Sequence, residues 1–369
     1  MKVMVTGATG FVGSHAVEAL LAAGHGVRLL ARSPEKVAHV FGPRGIEIPD
    51  VVVGDVTDAA AVAEALRGCD AAVHGAAEMY GDGRVLAANV NGARNVLGIA
   101  HELGLDPILH VSSIVAFFPL RGPAITVDDP VGSLTTTYGR SKAEGEHIAR
   151  ALQATGAPVV TIYPSGVYGP RDPGLGETTK GLRDCVRWVW PWTSSAISIV
   201  DVRDVARIIV AALEPGRGPR RYMAGGHLIS FVEQAQLCER LTGRKLRRVP
   251  SPPFVLRSLG FFLDLVRKLV PFEYPLTYEA ALMIDQNVPF DSRATVEELG
   301  VAFRPTEETF ADTVRWLCEA GHIGAGCAGR LAEGSPSRAR GRSLGVGAAL
   351  EHAFSDEAAE DAVEGSYEA

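Results

Sequence analysis

Short runs of β-branched and other apolar residues alternate along the first half of the chain with longer stretches whose apolar positions recur at helical spacing. The runs are Lys2 to Thr6, Val27 to Ala31, Ile46 to Val53, Asp70 to His74, Pro107 to Ser112 and Pro158 to Tyr163. Between them lie Phe11 to Ala23, Asp58 to Arg67, Val85 to Leu103 and Thr135 to Thr155, each long enough to cross back over a sheet face as a helix. This alternation predicts an α/β architecture with a doubly wound parallel sheet, whose ligands bind beyond the carboxyl ends of the strands.

After Tyr163 the pattern changes. Pro164 to Gly176 is rich in Gly and Pro, and Trp188, Trp190 and Trp192 follow, so this stretch reads as loop and insertion. Ile197 to Leu213 again has the pattern of a strand and a helix. From Arg221 to Gly321 helices and proline-punctuated loops are predicted. The expected organisation is a dinucleotide-binding (Rossmann) domain over residues 1–165 and 196–220, and a smaller, mostly helical substrate lobe over 166–195 and 221–323. Residues 324–369 carry an arginine block (Arg330, Arg338, Arg340, Arg342) and an acidic end, and are expected to form a disordered tail.

Length and composition narrow the classes. At about 150 residues per domain, 369 residues suggest two to three folding units. With 47% hydrophobic and 21% charged residues, the composition is that of an ordinary globular protein. A net charge of −7 supplies no basic field to attract nucleic acid. Cys69, Cys185, Cys238, Cys318 and Cys327 are far apart and form neither a CxxC pair nor a zinc-spaced cluster, so reduced thiols and no metal site are expected. The opening residues read as a buried strand rather than a secretory signal, and the most apolar stretch, Phe254 to Val270, is broken by four charges. A cytoplasmic protein without a membrane span is the expectation. Leu256, Leu259, Leu263, Val266 and Val270 nevertheless share one helix face, which burial in the second lobe explains more simply than docking on a membrane.

Between the first strand and first helix stand Thr6, Gly7, Ala8, Thr9, Gly10, Phe11, Val12 and Gly13. Gly7 can turn tightly, Gly10 lets backbone N–H groups approach a pyrophosphate, and Gly13 lets helix and strand pack closely. The helix N-terminus adds partial positive charge. This placement predicts that Gly7, Thr9, Gly10, Phe11, Val12 and Gly13 hold a dinucleotide. At the end of the second strand, where an acidic residue would bind the ribose hydroxyl of NAD, stands Arg32, followed by Ser33 and Lys36. A guanidinium there pairs with a 2′-phosphate, so NADP is favoured, with NAD as the alternative. Asp55 can accept a hydrogen bond from the adenine amino group or cap the next helix, and Val56 follows it. Gly75, Ala76 and Ala77 leave room for the cofactor, or for tight packing.

Tyr138 and Lys142 are four residues apart on one predicted helix, so the ammonium is expected to favour the phenolate of Tyr138. Ser113, at the end of the preceding strand, can hydrogen-bond a substrate oxygen and hold it against Tyr138.

The succession of TGATGFVG (6–13), GDVTD (54–58), NVNGARNVL (89–97), VSS (111–113), YGRSK (138–142), YPSGVYGPRD (163–172) and VDVRDVA (200–206) resembles the extended branch of the short-chain dehydrogenase/reductase superfamily, the NAD-dependent epimerase/dehydratase family, over residues 1 to 320. The resemblance implies Tyr138 as general acid or base and Lys142, besides acting on Tyr138, as a residue that binds the nicotinamide ribose. Ser113 would polarise the carbonyl, with Ser112 as the alternative serine. It further implies Asn89 as support for a proton relay, Pro164, Ser165 and Val167 as contacts of the nicotinamide carboxamide, and a homodimer through helices that include the one carrying Tyr138.

Dehydratases of the family place Asp-Glu directly after the serine or threonine, whereas Ile114 and Val115 follow Ser113 here, so β-elimination lacks its acid and base. Many sugar-nucleotide epimerases have an Arg before the VDVRDVA-like segment; this chain has Ala196, Ile197, Ser198 and Ile199. The Trp188 to Trp192 cluster and the apolar Phe254 to Leu265 segment suit a hydrophobic small-molecule substrate, or simply form the lobe's core or a dimer surface. The pattern looks closest to the dihydroflavonol reductase and 3β-hydroxysteroid dehydrogenase-like members. It predicts hydride transfer between nicotinamide and an alcohol or carbonyl. Nucleotide-sugar epimerisation and non-catalytic NADP(H) sensing are the alternatives.

Overall fold

The computed structural model describes residues 1–79, 83–267, 281, 283–285 and 287–332. Among them, seven strands form one parallel sheet: β1 (Lys2–Thr6), β2 (Gly26–Ala31), β3 (Val51–Val53), β4 (Ala71–His74), β5 (Ile108–Val111), β6 (Val159–Pro164) and β10 (Arg220–Ala224). Their spatial order is β10-β6-β5-β4-β1-β2-β3, so the chain reverses direction across the sheet between β1 and β4. Loops that leave two neighbouring strands in opposite directions open a crevice at their carboxyl ends, and the glycine turn lies there.

Helices α1 (Phe11–Ala22), α2 (Pro34–Phe41), α3 (Ala59–Leu66), α4 (Gly83–Glu102), α5 (Thr137–Ala154) and α7 (Val202–Ala211) flank the sheet. Their starts are written locally. Ser33 caps α2 ahead of Pro34, Asp58 caps α3 through Ala60 and Ala61, and Thr136 caps α5 through Gly139. Val3, Met4, Val5, Leu29, Ala71, Ala72, Ile108, Leu109, Val160 and Ile162 are buried because helices cover both faces of the sheet. Each large aliphatic side chain buried in this way contributes about 1.5–3 kcal/mol.

A second apolar cluster collects Tyr168, Leu182, Val186, Trp190, Ala235, Cys238, Phe310, Val314 and Leu317. It is built from β7 (Gly166–Tyr168), α6 (Glu177–Arg187), β8 (Trp190–Trp192), β9 (Ala196–Asp201), β11 (His227–Ser230), α8 (Phe231–Thr242) and α11 (Thr306–Glu319) with their neighbours; β12 (Arg248–Pro250) pairs with β8, α9 (Pro253–Arg267) follows it, and α10 (Arg293–Leu299) packs on the main core through Leu299. Small sheets β11-β9-β7 and β12-β8 stiffen this mostly helical lobe.

Several segments differ from the sequence pattern. Ile46 to Pro49 does not extend β3, which keeps only Val51–Val53, although Ile46 and Ile48 still pack on the main core. Pro49 has no N–H to give a ladder. Inside the Gly/Pro-rich stretch β7 pairs with β9, and the supposed Trp insertion contains α6 and β8. Arg220–Ala224 joins the main sheet beside β6. The first residues of the expected tail are folded: α12 (Ala325–Ala328) and the following turn bury Ala328 and Ala332 in the second cluster. Residues 333–369 lie outside the described set, as does Val270 of the apolar helix face. On that face Leu256 and Leu263 are half-buried and Leu259 is exposed. No helix among the described residues is long and apolar enough to cross a membrane.

Candidate active site

The glycine turn fits a pyrophosphate cradle on steric grounds. Gly7 has φ +71°, and a methyl group added there would lie 2.6 Å from the Ala76 nitrogen; one added at Gly13 would lie 2.1 Å from the Gly7 carbonyl oxygen. Gly10 precedes α1, and no side chain caps the helix. The first N–H groups of α1, from Phe11 and Val12, therefore have no intrahelical or side-chain acceptor and suit an anion. Thr9 lies half-buried in the turn, Phe11 packs edge-on against His15, and Val12 packs on the main core. The Ala76 N–H donates to Thr6 Oγ1 at 3.3 Å, which pins the β4 loop beside the turn.

Beyond β2 and β4 lies a charged group. Arg32 Nη1 is 2.8 Å from Glu78 Oε1 and 3.9 Å from Asp55 Oδ2. The alternatives for Asp55 narrow: Asp58 is the helix cap, while Asp55 Oδ1 accepts from the Thr57 N–H and hydroxyl at 2.9 and 2.8 Å. Burial pushes the Asp55 carboxyl up, but these bonds and Arg32 bring it below the usual carboxylate range. The Val56 carbonyl accepts from Asn95 Nδ2 at 3.0 Å.

At the carboxyl end of β5, Ser113 and Tyr138 meet. The Ser113 hydroxyl lies near enough to the Tyr138 phenol to act on it, and Ser113 Oγ accepts from the Val115 N–H at 3.2 Å, which fixes its rotamer. Lys142 lies one helical turn after Tyr138, its Nζ 5.7 Å from the Tyr138 ring centroid and 3.4 Å from the Val111 carbonyl oxygen. Burial lowers the Lys142 ammonium from its ordinary 10.5 to about 8. The expected depression of Tyr138 does not occur: burial raises the phenol, and the opposing influence is the Ser113 hydrogen bond rather than Lys142. At neutral pH Tyr138 holds its proton.

Other residues named by the sequence are engaged differently. Ser112 Oγ donates to Glu146 at 3.4 Å, away from Tyr138. Asn89 Nδ2 donates to the Glu78 carbonyl (2.8 Å) and to Ser141 Oγ (3.2 Å), and its Oδ1 accepts from the Glu78 N–H (2.9 Å). It clasps the β4 loop to α4 and reaches α5. Pro164 is buried at the end of β6, opposite Ala224, and the Val167 carbonyl accepts from Thr178 Oγ1 at 2.6 Å. Of the tryptophans, Trp190 is buried in the second cluster, Trp192 stacks under Arg248, and Trp188 is exposed beneath Arg187.

Besides the Glu78–Arg32 pair, two features are not legible in the sequence pattern. Glu146, wholly buried and one turn after Lys142, accepts from Tyr163 (2.6 Å) and Arg150 (2.7 Å) and ties α5 to β6; its spacing from Lys142 was the available signal. His74 and His110 pair across β4 and β5 with rings stacked at 5.6 Å, which no local pattern reveals. His74 Nδ1 is 2.9 Å from Thr6 Oγ1, whereas neither His110 ring nitrogen has a hydrogen-bond partner among the described residues.

Burial lowers His74 from 6.5 to about 3, and His110 falls well below its ordinary value. The unfolded chain therefore takes up protons first, so stability is full above pH 6.5 and is lost as pH falls from 6.5 toward 3. At pH 5 the His74 imidazole alone removes about 2 kcal/mol, and His110 acts in the same direction. Denaturant unfolding at pH 7 and pH 5 is expected to show this loss, and His110→Phe, which keeps a flat ring, is expected to reduce it. An unchanged pH dependence in the variant would refute the assignment.

Residues 3–225 match the NAD dependent epimerase/dehydratase family. Sterol demethylase protein B of Methylococcus capsulatus is 29% identical over 332 residues, covering 88% of this chain and 100% of that protein. Cinnamoyl-CoA reductase 1 of Oryza sativa subsp. japonica is 27% identical over 344 residues, covering 87% of this chain and 91% of that protein. Among solved structures, gox2253 superposes with a TM-score of 0.74 at 28% identity over 87% of this chain and 99% of its own.

Proposed function

Since the chain belongs to the NAD dependent epimerase/dehydratase family and is an NAD(P)-dependent oxidoreductase, we propose that it reduces the carbonyl of a small hydrophobic substrate, reversibly, with NADP as its preferred dinucleotide. The observation that carries this reading is the meeting of Ser113, Tyr138 and Lys142 at the end of β5, two strands from the glycine turn.

When bound, the nicotinamide supplies the hydride. Ser113 and Tyr138 hold the substrate oxygen between their hydroxyls, and Tyr138 gives that oxygen its proton as the carbonyl carbon becomes an alcohol. The raised Tyr138 phenol suits a group that must arrive protonated, and the Lys142 ammonium, charged below pH about 8, stabilises the phenolate left behind. Asn89 steadies the loop and helix on either side. Ile114 and Val115, in a tight turn after Ser113, offer no second acid or base for elimination. Ala196, where many nucleotide-sugar enzymes of the family have an Arg close by, is bonded through its N–H to Asn287 Oδ1 at 2.8 Å. Phe117, Phe118, Leu134, Met283 and Val288 form an apolar cluster with Ile114, directly after Ser113. Relatives named for a sterol and a cinnamoyl compound fit such surroundings.

Mixing the purified protein with NADPH and a panel of aromatic and polycyclic aldehydes and ketones is expected to give one alcohol per NADPH oxidised. Epimerisation of a nucleotide sugar without net oxidation, or NADPH binding without turnover of any carbonyl, would reject the proposal. The two serines separate sharply: Ser113→Ala is expected to lower kcat about a hundredfold. Ser112→Ala, whose hydroxyl points to Glu146, is expected to stay within about threefold; equal losses would mean that Ser113 has no special role.

A further inference from the structure

Glu78 stands three residues beyond Gly75, and its ion pair with Arg32 joins the ends of β2 and β4, the two strands that flank β1. The carboxylate is not carried on a loose loop. Both backbone groups of Glu78 are bonded to the Asn89 side chain, the N–H to Oδ1 and the carbonyl to Nδ2. Arg32 therefore faces two carboxylates, Glu78 at 2.8 Å and Asp55 at 3.9 Å, and the three side chains together carry a net charge of −1. This is a different environment from the free guanidinium that the sequence suggests.

We propose that Glu78 sets the balance between NADP and NAD by competing with the 2′-phosphate for Arg32. The proposal rests on the cofactor reading above. A 2′-phosphate brings a charge close to −2 and needs the guanidinium that Glu78 holds. A ribose 2′-hydroxyl, by contrast, can donate to a carboxylate and leaves the ion pair intact. Arg32 and Glu78 are 67% and 48% exposed, so breaking their pair costs little, and Glu78 tunes the choice rather than forbidding NADP. Discrimination of this kind comes from penalising one ligand as much as from welcoming the other.

Binding of NADPH, NADH, 2′,5′-ADP and 5′-AMP by calorimetry tests this without turnover. Glu78→Gln keeps the size of the side chain and removes its charge. It is expected to tighten NADPH and 2′,5′-ADP about fivefold and to leave NADH and 5′-AMP within about twofold. Arg32→Ala is expected to weaken only the two 2′-phosphorylated ligands, and in that background the gain from Glu78→Gln is expected to vanish. If Glu78→Gln leaves the NADPH to NADH ratio unchanged while Arg32→Ala lowers it, the role of Glu78 is overturned and the NADP reading survives. If Arg32→Ala leaves the ratio unchanged, both are overturned.

Discussion

Replacing Tyr138 by Phe is expected to lower kcat for carbonyl reduction by about a thousandfold, with dinucleotide affinity changed less than about threefold. The ring and its packing remain, so only the hydroxyl is lost. That hydroxyl lies beside Ser113, whose own direction is fixed by the Val115 N–H, and Tyr138 stands on a helix start fixed by the Thr136 cap. Because burial keeps the phenol protonated, the missing group is the proton donor itself, and Ser113 with its much higher intrinsic pKa is a poor substitute. A loss confined to KM would mean that Tyr138 only binds substrate. Steady-state kinetics together with calorimetric binding of NADPH separate the two.

Gly13→Val is expected to abolish dinucleotide binding and to destabilise the fold by about 3 kcal/mol or more. A methyl group at this position already lies 2.1 Å from the Gly7 carbonyl oxygen and 2.7 Å from its carbon. These are backbone atoms, so no change of rotamer relieves the clash, and the helix must move away from the turn whose N–H groups it presents. Gly98 is the control, for nothing lies within 4 Å of an added methyl group there. Gly98→Ala is expected to bind NADPH normally and to be slightly more stable, since alanine favours the middle of α4 by about 1 kcal/mol. Thermal unfolding and fluorescence titration read both effects, and normal NADPH affinity in Gly13→Val would remove the turn from the site.

Much of this arrangement was legible because it is local. The buried runs of β1, β4, β5 and β6, the glycine spacing, and the four-residue step from Tyr138 to Lys142 each express a period or a turn that the chain carries within a few residues. What escaped depends on partners far away in sequence. β7 is three residues, Gly166 to Tyr168, directly ahead of Gly169 and Pro170, and exists because β9 pairs with it. Glu78 reaches Arg32 across 46 positions, and His74 finds His110 only once β4 and β5 are neighbours. The phenol of Tyr138 illustrates the same limit. Spacing puts an ammonium on its helix face, but burial and Ser113, set by tertiary packing, determine which way its proton affinity moves.

The decisive measurement is a crystal structure of the protein with NADPH. The pyrophosphate is expected against the N–H groups of Phe11 and Val12, and the nicotinamide ribose on Lys142, with the ring beside the hydroxyls of Tyr138 and Ser113. A dinucleotide bound away from the Gly7 to Gly13 turn, or a nicotinamide ring out of reach of those hydroxyls, would contradict this placement.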